Sequence, residues 1–232
     1  MREFGHYGKA TYNKARGAAM RQIMVLNSKG GSGKSTIATN LASYYAAEGF
    51  DVVLADLDPQ GSSLAWLEAR SAGRPPIRGL DASAKGARLP RSADLAILDA
   101  PAAVHGPDLG HLMRRADTFI VPVLPSPIDM RAAADFISEM RHNKRIQSKQ
   151  ARFGVVANRT RAYTNVFHEL DDFLRHLRVS VLTQLRDNMN YIRAAERGLG
   201  IFELAPYRTA IDREQWHPVI KWLNSKRSRP TR

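Results

Sequence analysis

The sequence contains no cysteine, no long apolar run and comparatively few acidic residues. Without cysteine the chain can form neither disulfides nor thiolate metal sites, which fits a reducing cytoplasm. No apolar run is long enough to span a bilayer, and no apolar signal core follows Met1, so we expect a soluble, intracellular protein. The 232 residues, of which 44% are hydrophobic, are enough for one substantial α/β domain.

The shortage of acidic residues leaves the chain with a large positive charge. Lysine and arginine number 35 against 22 aspartates and glutamates, which gives a net charge of +13. Binding a small nucleotide does not require so much positive charge, whereas binding a large polyanion does, and nucleic acid is the commonest one. The alternatives are an anionic lipid surface, or a basic protein that is merely soluble.

A glycine-rich loop between a short strand and a helix is the most informative stretch of the sequence. We predict the strand at residues 23–26 and the helix from Lys34 to Ala47. Glycines let such a loop turn sharply and bring N–H groups close to a phosphate, and the helix points its positive end at the same place. Lys34 supplies a cation for the phosphates, and the Ser35 hydroxyl is a ligand for Mg²⁺. The predicted nucleotide-binding residues of the loop are Gly30, Gly31, Ser32, Gly33, Lys34, Ser35 and Thr36.

Two further apolar strands end in carboxylates. Residues 51–55 lead into Asp56 and Asp58, and residues 95–98 lead into Asp99. Carboxylates at the carboxyl ends of strands beside a phosphate loop are where phosphoryl transfer places its metal ion and its water. An ordinary turn would explain the Asp, Pro and Gly residues in isolation, but the preceding glycine-rich loop favours a functional role.

The string Lys-Gly-Gly-Ser-Gly-Lys-Ser at residues 29–35 resembles the deviant Walker A motif of the ParA/MinD family of ATPases. Residues 56–61 resemble the Asp-x-Asp-Pro-Gln-Gly motif of that family, and the resemblance extends over about residues 22–224. It implies a P-loop fold of the deviant Walker A type, with ATP and Mg²⁺ as ligands and an ATP-dependent homodimer. Three catalytic residues are implied: Lys29 reaches across the dimer to the other ATP, Lys34 holds the phosphates, and Asp58 positions the attacking water.

The same resemblance assigns further ligand contacts. Ser35, Asp56 and Asp99 are implied for Mg²⁺, and Asn158 is implied for adenine recognition. Pro206 follows a Gly-Leu-Gly-Ile-Phe string that resembles the loop which passes over the adenine in ParA-type proteins.

Strands alternating with helices predict a doubly wound, mostly parallel sheet flanked by helices. In this reading a basic N-terminal arm (residues 1–21) precedes the ATPase domain (22–224), and a basic tail (225–232) follows it. We also predict a helix at 62–70 with Leu64 and Leu67 inward, a short strand at 77–80, and a final helix at 212–224 whose apolar face is core.

Three functions are compatible with these motifs. The first is a ParA-type positioning ATPase whose dimer binds nucleoid DNA without sequence preference and is released when an adaptor protein stimulates hydrolysis. Its cargo would be a plasmid, a chromosome region or a protein body such as a carboxysome. The second is a MinD-like membrane switch, which is disfavoured because nothing apolar follows Leu223. The third is a metal-cluster or metabolic enzyme of the same superfamily, which is disfavoured by the absence of cysteine.

The first function implies a cytoplasmic, nucleoid-associated protein that does not bind membranes. Its DNA contacts are predicted among the arginines and lysines of the C-terminal part. They are Arg186, Arg193, Arg208, Arg213, Lys226 and Arg227.

Overall fold

A computed structural model describes residues 20–84, 86–90, 92–161 and 164–231, and its centre is one seven-stranded sheet. The predicted arm lies outside these residues except for its last two. The strands are β1 (Arg21–Val25), β2 (Val52–Asp56), β3 (Arg78–Asp81), β4 (Leu95–Asp99), β5 (Thr118–Val123), β6 (Arg152–Thr160) and β7 (Val181–Arg186).

All the strand pairings are parallel, and the order across the sheet is β3-β2-β4-β1-β5-β6-β7. The chain therefore leaves β1 toward one edge and later crosses back to build the other edge. Such a reversal opens a crevice at the carboxyl end of the central strand, where open parallel sheets bind ligands. The predicted doubly wound α/β fold is confirmed.

Eight α-helices of the described residues cover the two faces of the sheet. They are α1 (Lys34–Ala47), α2 (Ser62–Glu68), α3 (Gly106–Met113), α4 (Pro127–His142), α5 (Lys144–Gln147), α6 (Asn165–His176), α7 (Met189–Ala195) and α8 (Pro206–Asn224). Two 3₁₀ turns, Ile201–Glu203 and Lys226–Ser228, precede and follow α8.

Alternate residues of each central strand enter two separate cores. In β1, Met24 belongs to the core with α3, α4 and α6, whereas Ile23 and Val25 belong to the core with α1 and α8. Trp216 of α8 is one of the largest fully buried side chains. Because both faces are covered, the central strands read as continuous apolar runs.

The structure corrects several boundaries predicted from the sequence. The final helix begins six residues early, at Pro206, because proline is favoured in the first turn, where its missing N–H costs nothing. Trp66 is the most buried apolar residue of α2, while Leu64 and Leu67 are half-buried.

The apolar face of α8 is core, as predicted. Within the described part of the chain, no helix combines the length and apolarity needed to cross a bilayer.

The residues predicted as a basic C-terminal tail follow the end of α8 and pack across the amino ends of three strands. Arg21 of β1 donates to the Ser228 hydroxyl at 2.8 Å, Thr118 of β5 donates to the Ser228 carbonyl at 2.7 Å, and Arg152 of β6 donates to the Thr231 hydroxyl at 2.8 Å.

Candidate active site

The glycine-rich loop turns tightly between β1 and α1 because two of its glycines adopt left-handed backbone angles. Gly31 has φ 75° and Gly33 has φ 93°. A Cβ at Gly33 would also lie 2.2 Å from Nδ2 of Asn158, so glycine is required there on two grounds. The first helical amide to find a partner in α1 is that of Ile37, which donates to the Gly33 carbonyl at 3.0 Å. The preceding amides of the first turn form a ready site for a phosphate.

Hydrogen bonds from neighbouring strands hold this loop in shape. The Asn27 side chain donates to the Pro122 carbonyl at 2.6 Å, and the Asn158 side chain donates to the Ser32 carbonyl at 2.9 Å. The amide of Ala103, in the segment that follows β4, donates to the Ser28 carbonyl at 2.7 Å. The loop is therefore preorganised before any ligand arrives.

The two lysines of the loop lie in different surroundings. Lys34 is buried, and its Nζ donates to the Lys29 carbonyl at 3.1 Å. Burial lowers the pKa of Lys34, and the nearby charges of Asp99 and Asp58 oppose that shift. Lys29 is only half-buried. The structure thus places Lys34 in the lining of the cavity beside the loop and leaves Lys29 partly exposed.

Asp99 is a buried carboxylate with incomplete hydrogen bonding. Among the described residues no donor meets its oxygens in good hydrogen-bond geometry, although the Ser35 and Ser63 hydroxyls lie close enough to lower its pKa. Burial raises the pKa of Asp99 to about 7; the Ser35 hydroxyl and the Lys34 charge act in the opposite direction. A bound divalent cation would supply the positive charge that stabilises this buried carboxylate in its ionised form. Ser35 and Asp99 therefore fit the predicted Mg²⁺ site.

Asp56, the third predicted Mg²⁺ ligand, is also held by hydrogen bonds within the fold. Its register partner in the sheet is Asp99, but its oxygens accept hydrogen bonds from the Asp58 amide at 3.0 Å and from the Ser63 amide and hydroxyl at 2.9 and 2.8 Å. The Leu64 amide adds a fourth at 3.2 Å. Three of these bonds go to Oδ2 and one to Oδ1, so Oδ2 is used within the fold and only Oδ1 keeps a lone pair for the predicted Mg²⁺ site. Asp56 also fixes the start of α2 and the turn that presents Asp58.

Two cavities flank the glycine-rich loop. One, of about 590 Å³, lies between the loop, Asp58 and the segment after β4. The other, of about 370 Å³, lies on the opposite side and shares Gly31, Gly33 and Thr36 with the first. The two cavities therefore adjoin the same loop, an arrangement that suits a nucleotide with its phosphates in the first and its nucleoside in the second.

The second cavity contains residues that the sequence patterns did not identify as functional. Asn158 was predicted and is present. Tyr191 and Trp216 form an aromatic wall, and the Trp216 indole donates to the Tyr191 hydroxyl at 3.0 Å. Trp216 lies at the helical spacing of a core residue, and nothing in the sequence indicated that it would also form part of a cavity wall. Pro206 begins α8 and is not among the residues that line either cavity.

The predicted DNA contacts separate into three groups. Arg186 pairs with Asp212 at 2.6 Å, and Arg213 donates to the Phe202 and Leu204 carbonyls at 2.7 and 2.9 Å, so both guanidinium groups are used within the fold. A DNA contact by either of them would have to compete with these bonds. Arg193 and Arg208 are exposed on α7 and α8, and Lys226 and Arg227 are exposed on the residues that follow α8.

Residues 23–201 match the model of the CobQ/CobB/MinD/ParA nucleotide binding domain. The chain is 30% identical over 198 residues to a "Maintenance of carboxysome distribution protein A" from Halothiobacillus neapolitanus, covering 82% of this chain and 91% of the relative. A protein of the same name from Gloeobacter kilaueensis is 38% identical over 117 residues, which are 47% of this chain and 52% of that one. The solved ATP complex of a McdA variant from Cyanothece superposes with a TM-score of 0.69 at 14% identity, covering 88% and 97% of the two chains.

Proposed function

The chain belongs to the CobQ/CobB/MinD/ParA nucleotide-binding family, and on that basis we propose that it is an ATP-hydrolysing positioning protein that distributes carboxysomes. The observation that carries the proposal is the preformed loop whose Lys34 and Ser35 line one cavity together with Asp58, next to the buried carboxylate of Asp99. Two relatives whose names refer to carboxysome distribution support the choice of cargo over a plasmid or a chromosome region.

The residues of this chain divide the work of hydrolysis. The helix amides and Lys34 bind the phosphates, and Asp58, which faces the same cavity, orients the attacking water. Ser35 and Asp99 hold Mg²⁺, which supplies charge neutralisation of the phosphates when bound. Lys29 contacts the nucleotide of a second chain, so that ATP stabilises a homodimer. The dimer binds nucleoid DNA, and an adaptor protein on the cargo stimulates hydrolysis and release.

The first experiment measures phosphate release by the purified protein with Mg²⁺ and ATP, with and without DNA. Wild type is expected to turn over slowly, and Lys34→Ala is expected to lose both turnover and thermal stabilisation by ATP. Lys144→Ala is the matched control because Lys144 is exposed and lies far along the chain from the loop. Equal turnover in the Lys34 and Lys144 variants would contradict the assigned site.

The second experiment tests the cargo. Deletion of the gene in a carboxysome-forming host is expected to turn evenly spaced carboxysomes into clusters, and wild type but not Lys34→Ala is expected to restore the spacing. Unchanged spacing after deletion would reject the carboxysome as cargo while leaving the ATPase assignment intact.

A further inference from the structure

Helix α2 directly follows the turn that carries Asp58, and it is held at both of its ends. At its start, the Ser63 amide donates to the Asp56 carboxylate at 2.9 Å. Further along the helix, the indole of Trp66 donates to the Leu199 carbonyl at 3.2 Å. Because α2 is short and comes immediately after the turn, the contacts that fix α2 also fix the turn.

A buried arginine just after α2 makes the most hydrogen bonds to the rest of the fold. The two terminal nitrogens of Arg70 each lie 2.8 Å from one carboxylate oxygen of Glu203, and the two side chains are only 4% and 5% exposed. Arg70 also donates to the Gly198 carbonyl at 2.9 Å and to the Pro75 carbonyl at 3.1 Å. A two-pronged ion pair of this kind fixes orientation as well as distance, which a lysine could not do.

The segment that receives this arginine is residues 198–203, here called the glycine junction, which lies between α7 and α8. Gly198 has a φ of 60°, and a Cβ there would collide with the backbone of Arg70, so only glycine lets the two backbones approach so closely. The Gly200 amide donates to the Glu203 carboxylate at 2.9 Å, which holds that carboxylate in place. The glycine junction therefore fits closely against the end of α2.

The glycine junction also contacts the elements that surround the nucleotide site. Helix α7, which ends three residues before Gly198, lines the second cavity with Tyr191. The Ile201 amide donates to the Asn40 side chain at 2.7 Å, and Asn40 donates in turn to the carbonyl of Thr36 at 2.8 Å. Thr36 lines both cavities. The junction therefore connects α7 beside the second cavity, α1 beside both cavities and α2 behind the first.

We propose that Arg70 and Glu203 are positioning residues for ATP hydrolysis. Their ion pair fixes α2 to the glycine junction, and so sets the distance between the Asp58 carboxylate and a nucleotide held by α1 and α7. Neither residue is among those that line the two cavities, so the effect of the pair on the reaction passes through Asp58. The inference rests on the proposed function for the reaction and for the role of Asp58, and it extends that function to a pair outside the site.

The test compares two variants of the full chain that each remove one two-pronged ion pair. The first carries Arg70→Met and Glu203→Gln, which removes both buried charges together and keeps an oxygen for the Gly200 amide. The control carries Arg78→Met and Asp51→Asn. That pair has the same geometry, at 3.1 and 2.8 Å, but lies at the start of β2 and β3 and lines neither cavity. Thermal unfolding checks that each variant is folded.

Phosphate release is measured over a range of ATP concentrations with Mg²⁺, and ATP binding is measured by thermal stabilisation. We expect the Arg70–Glu203 variant to lower kcat by about 10- to 100-fold and to change KM by less than about threefold, because Lys34 and the loop amides still bind the phosphates. Arg70→Lys keeps the buried charge but loses the two-pronged contact, and it is expected to show the same split to a smaller extent. The control variant is expected to keep kcat within about twofold of wild type.

A second comparison separates positioning from a general loosening of the fold. The Arg70–Glu203 changes are repeated in an Asp58→Ala background, and single-turnover rates are compared between the two backgrounds. If the pair acts through Asp58, the changes should lower the rate of Asp58→Ala by less than about twofold, because the group that they position has already been removed.

The other outcomes would overturn the inference. An unchanged kcat, or an equal fall of kcat in the control variant, would show that the pair does not set the geometry of hydrolysis. An equal fall in the wild-type and Asp58→Ala backgrounds would leave the pair a purely structural role. A loss confined to ATP binding would place its effect on the nucleotide rather than on the attacking water. Wild type that does not hydrolyse ATP would refute the proposed function as well, whereas normal hydrolysis by wild type and by the Arg70–Glu203 variant would refute this inference alone.

Discussion

Arg186→Ala is expected to destabilise the folded protein strongly, because this arginine neutralises a buried acid. Its Nε and a terminal nitrogen lie 2.6 and 3.0 Å from the two carboxylate oxygens of Asp212, which is completely buried. The hydrogen bonds to Asp212 raise the pKa of Arg186. Removing one partner of a buried pair typically costs about 3–5 kcal/mol, since the other charge is left without compensation. The Asn190 side chain also donates to Asp212, at 2.9 Å, so we expect a loss near 3 kcal/mol.

The measurement is urea unfolding of the nucleotide-free protein. The double variant Arg186→Met with Asp212→Asn removes both charges and keeps an oxygen for Asn190, so it should recover at least about half of the loss. Arg193→Ala is the matched control on an exposed side chain and should change the free energy of unfolding by less than about 0.5 kcal/mol. Unchanged stability in Arg186→Ala together with a large loss of DNA affinity would show that Arg186 contacts DNA and that the reasoning is wrong.

Three further predictions concern the nucleotide site. Lys29→Ala is expected to bind ATP but not dimerise, whereas Asp58→Ala is expected to dimerise and to stay on DNA with little ATP turnover. Light scattering in ATP measures dimerisation of both variants, and a DNA-shift assay measures their binding to DNA. If Lys29→Ala formed a dimer in ATP, the contact of Lys29 with the second chain would be excluded. Gly33→Ala is expected to lose thermal stabilisation by ATP, because the backbone φ of 93° at this position is strained for alanine and the added Cβ would lie 2.2 Å from Nδ2 of Asn158. Retained stabilisation would show that the loop adapts. Asp99→Asn is expected to raise the free energy of unfolding of the metal-free protein, measured in chelator at pH 8, by on the order of 1–3 kcal/mol, because burial raises the pKa of Asp99 to about 7. This gain should vanish as the pH falls from about 7 toward 4, where Asp99 of the wild type is protonated. A lower free energy of unfolding at pH 8 would show that the ionised carboxylate is stabilised within the fold.

The sequence predicted the phosphate side of the site well because its residues are close together in the chain. The glycine-rich loop spans a few consecutive positions, and each carboxylate follows an apolar run that can only be a buried strand. In a parallel sheet the carboxyl ends of such strands must meet at one edge, so the register of Asp56 and Asp99 follows from the fold class. The competing role of Asp56 did not follow, because hydrogen bonds from Ser63 and Leu64 depend on how α2 begins.

The nucleoside side of the site could not be predicted in the same way. Its wall combines Ile37 of α1, Leu185 of β7, Tyr191 of α7 and Trp216 of α8, which come together only because β7 pairs with β6 and α8 packs on β7. Each of these residues has the spacing of an ordinary core position. Periodicity reports which face of an element is buried, but it cannot distinguish a packed core from the wall of a cavity.

The same limit applies most strongly to arginine, because a sequence pattern does not show which guanidinium groups are paired within the fold. Net charge and local composition treat Arg186, Arg213 and Arg227 alike, yet the first two find partners inside the fold and the third is exposed. The partners that distinguish them are brought near only by the fold. Asp212 lies 26 residues from Arg186, and Thr118, which fixes the segment that carries Arg227, lies 110 residues from Ser228. A count of cations therefore predicts that a polyanion binds, whereas the tertiary contacts determine which of those cations are already used within the fold.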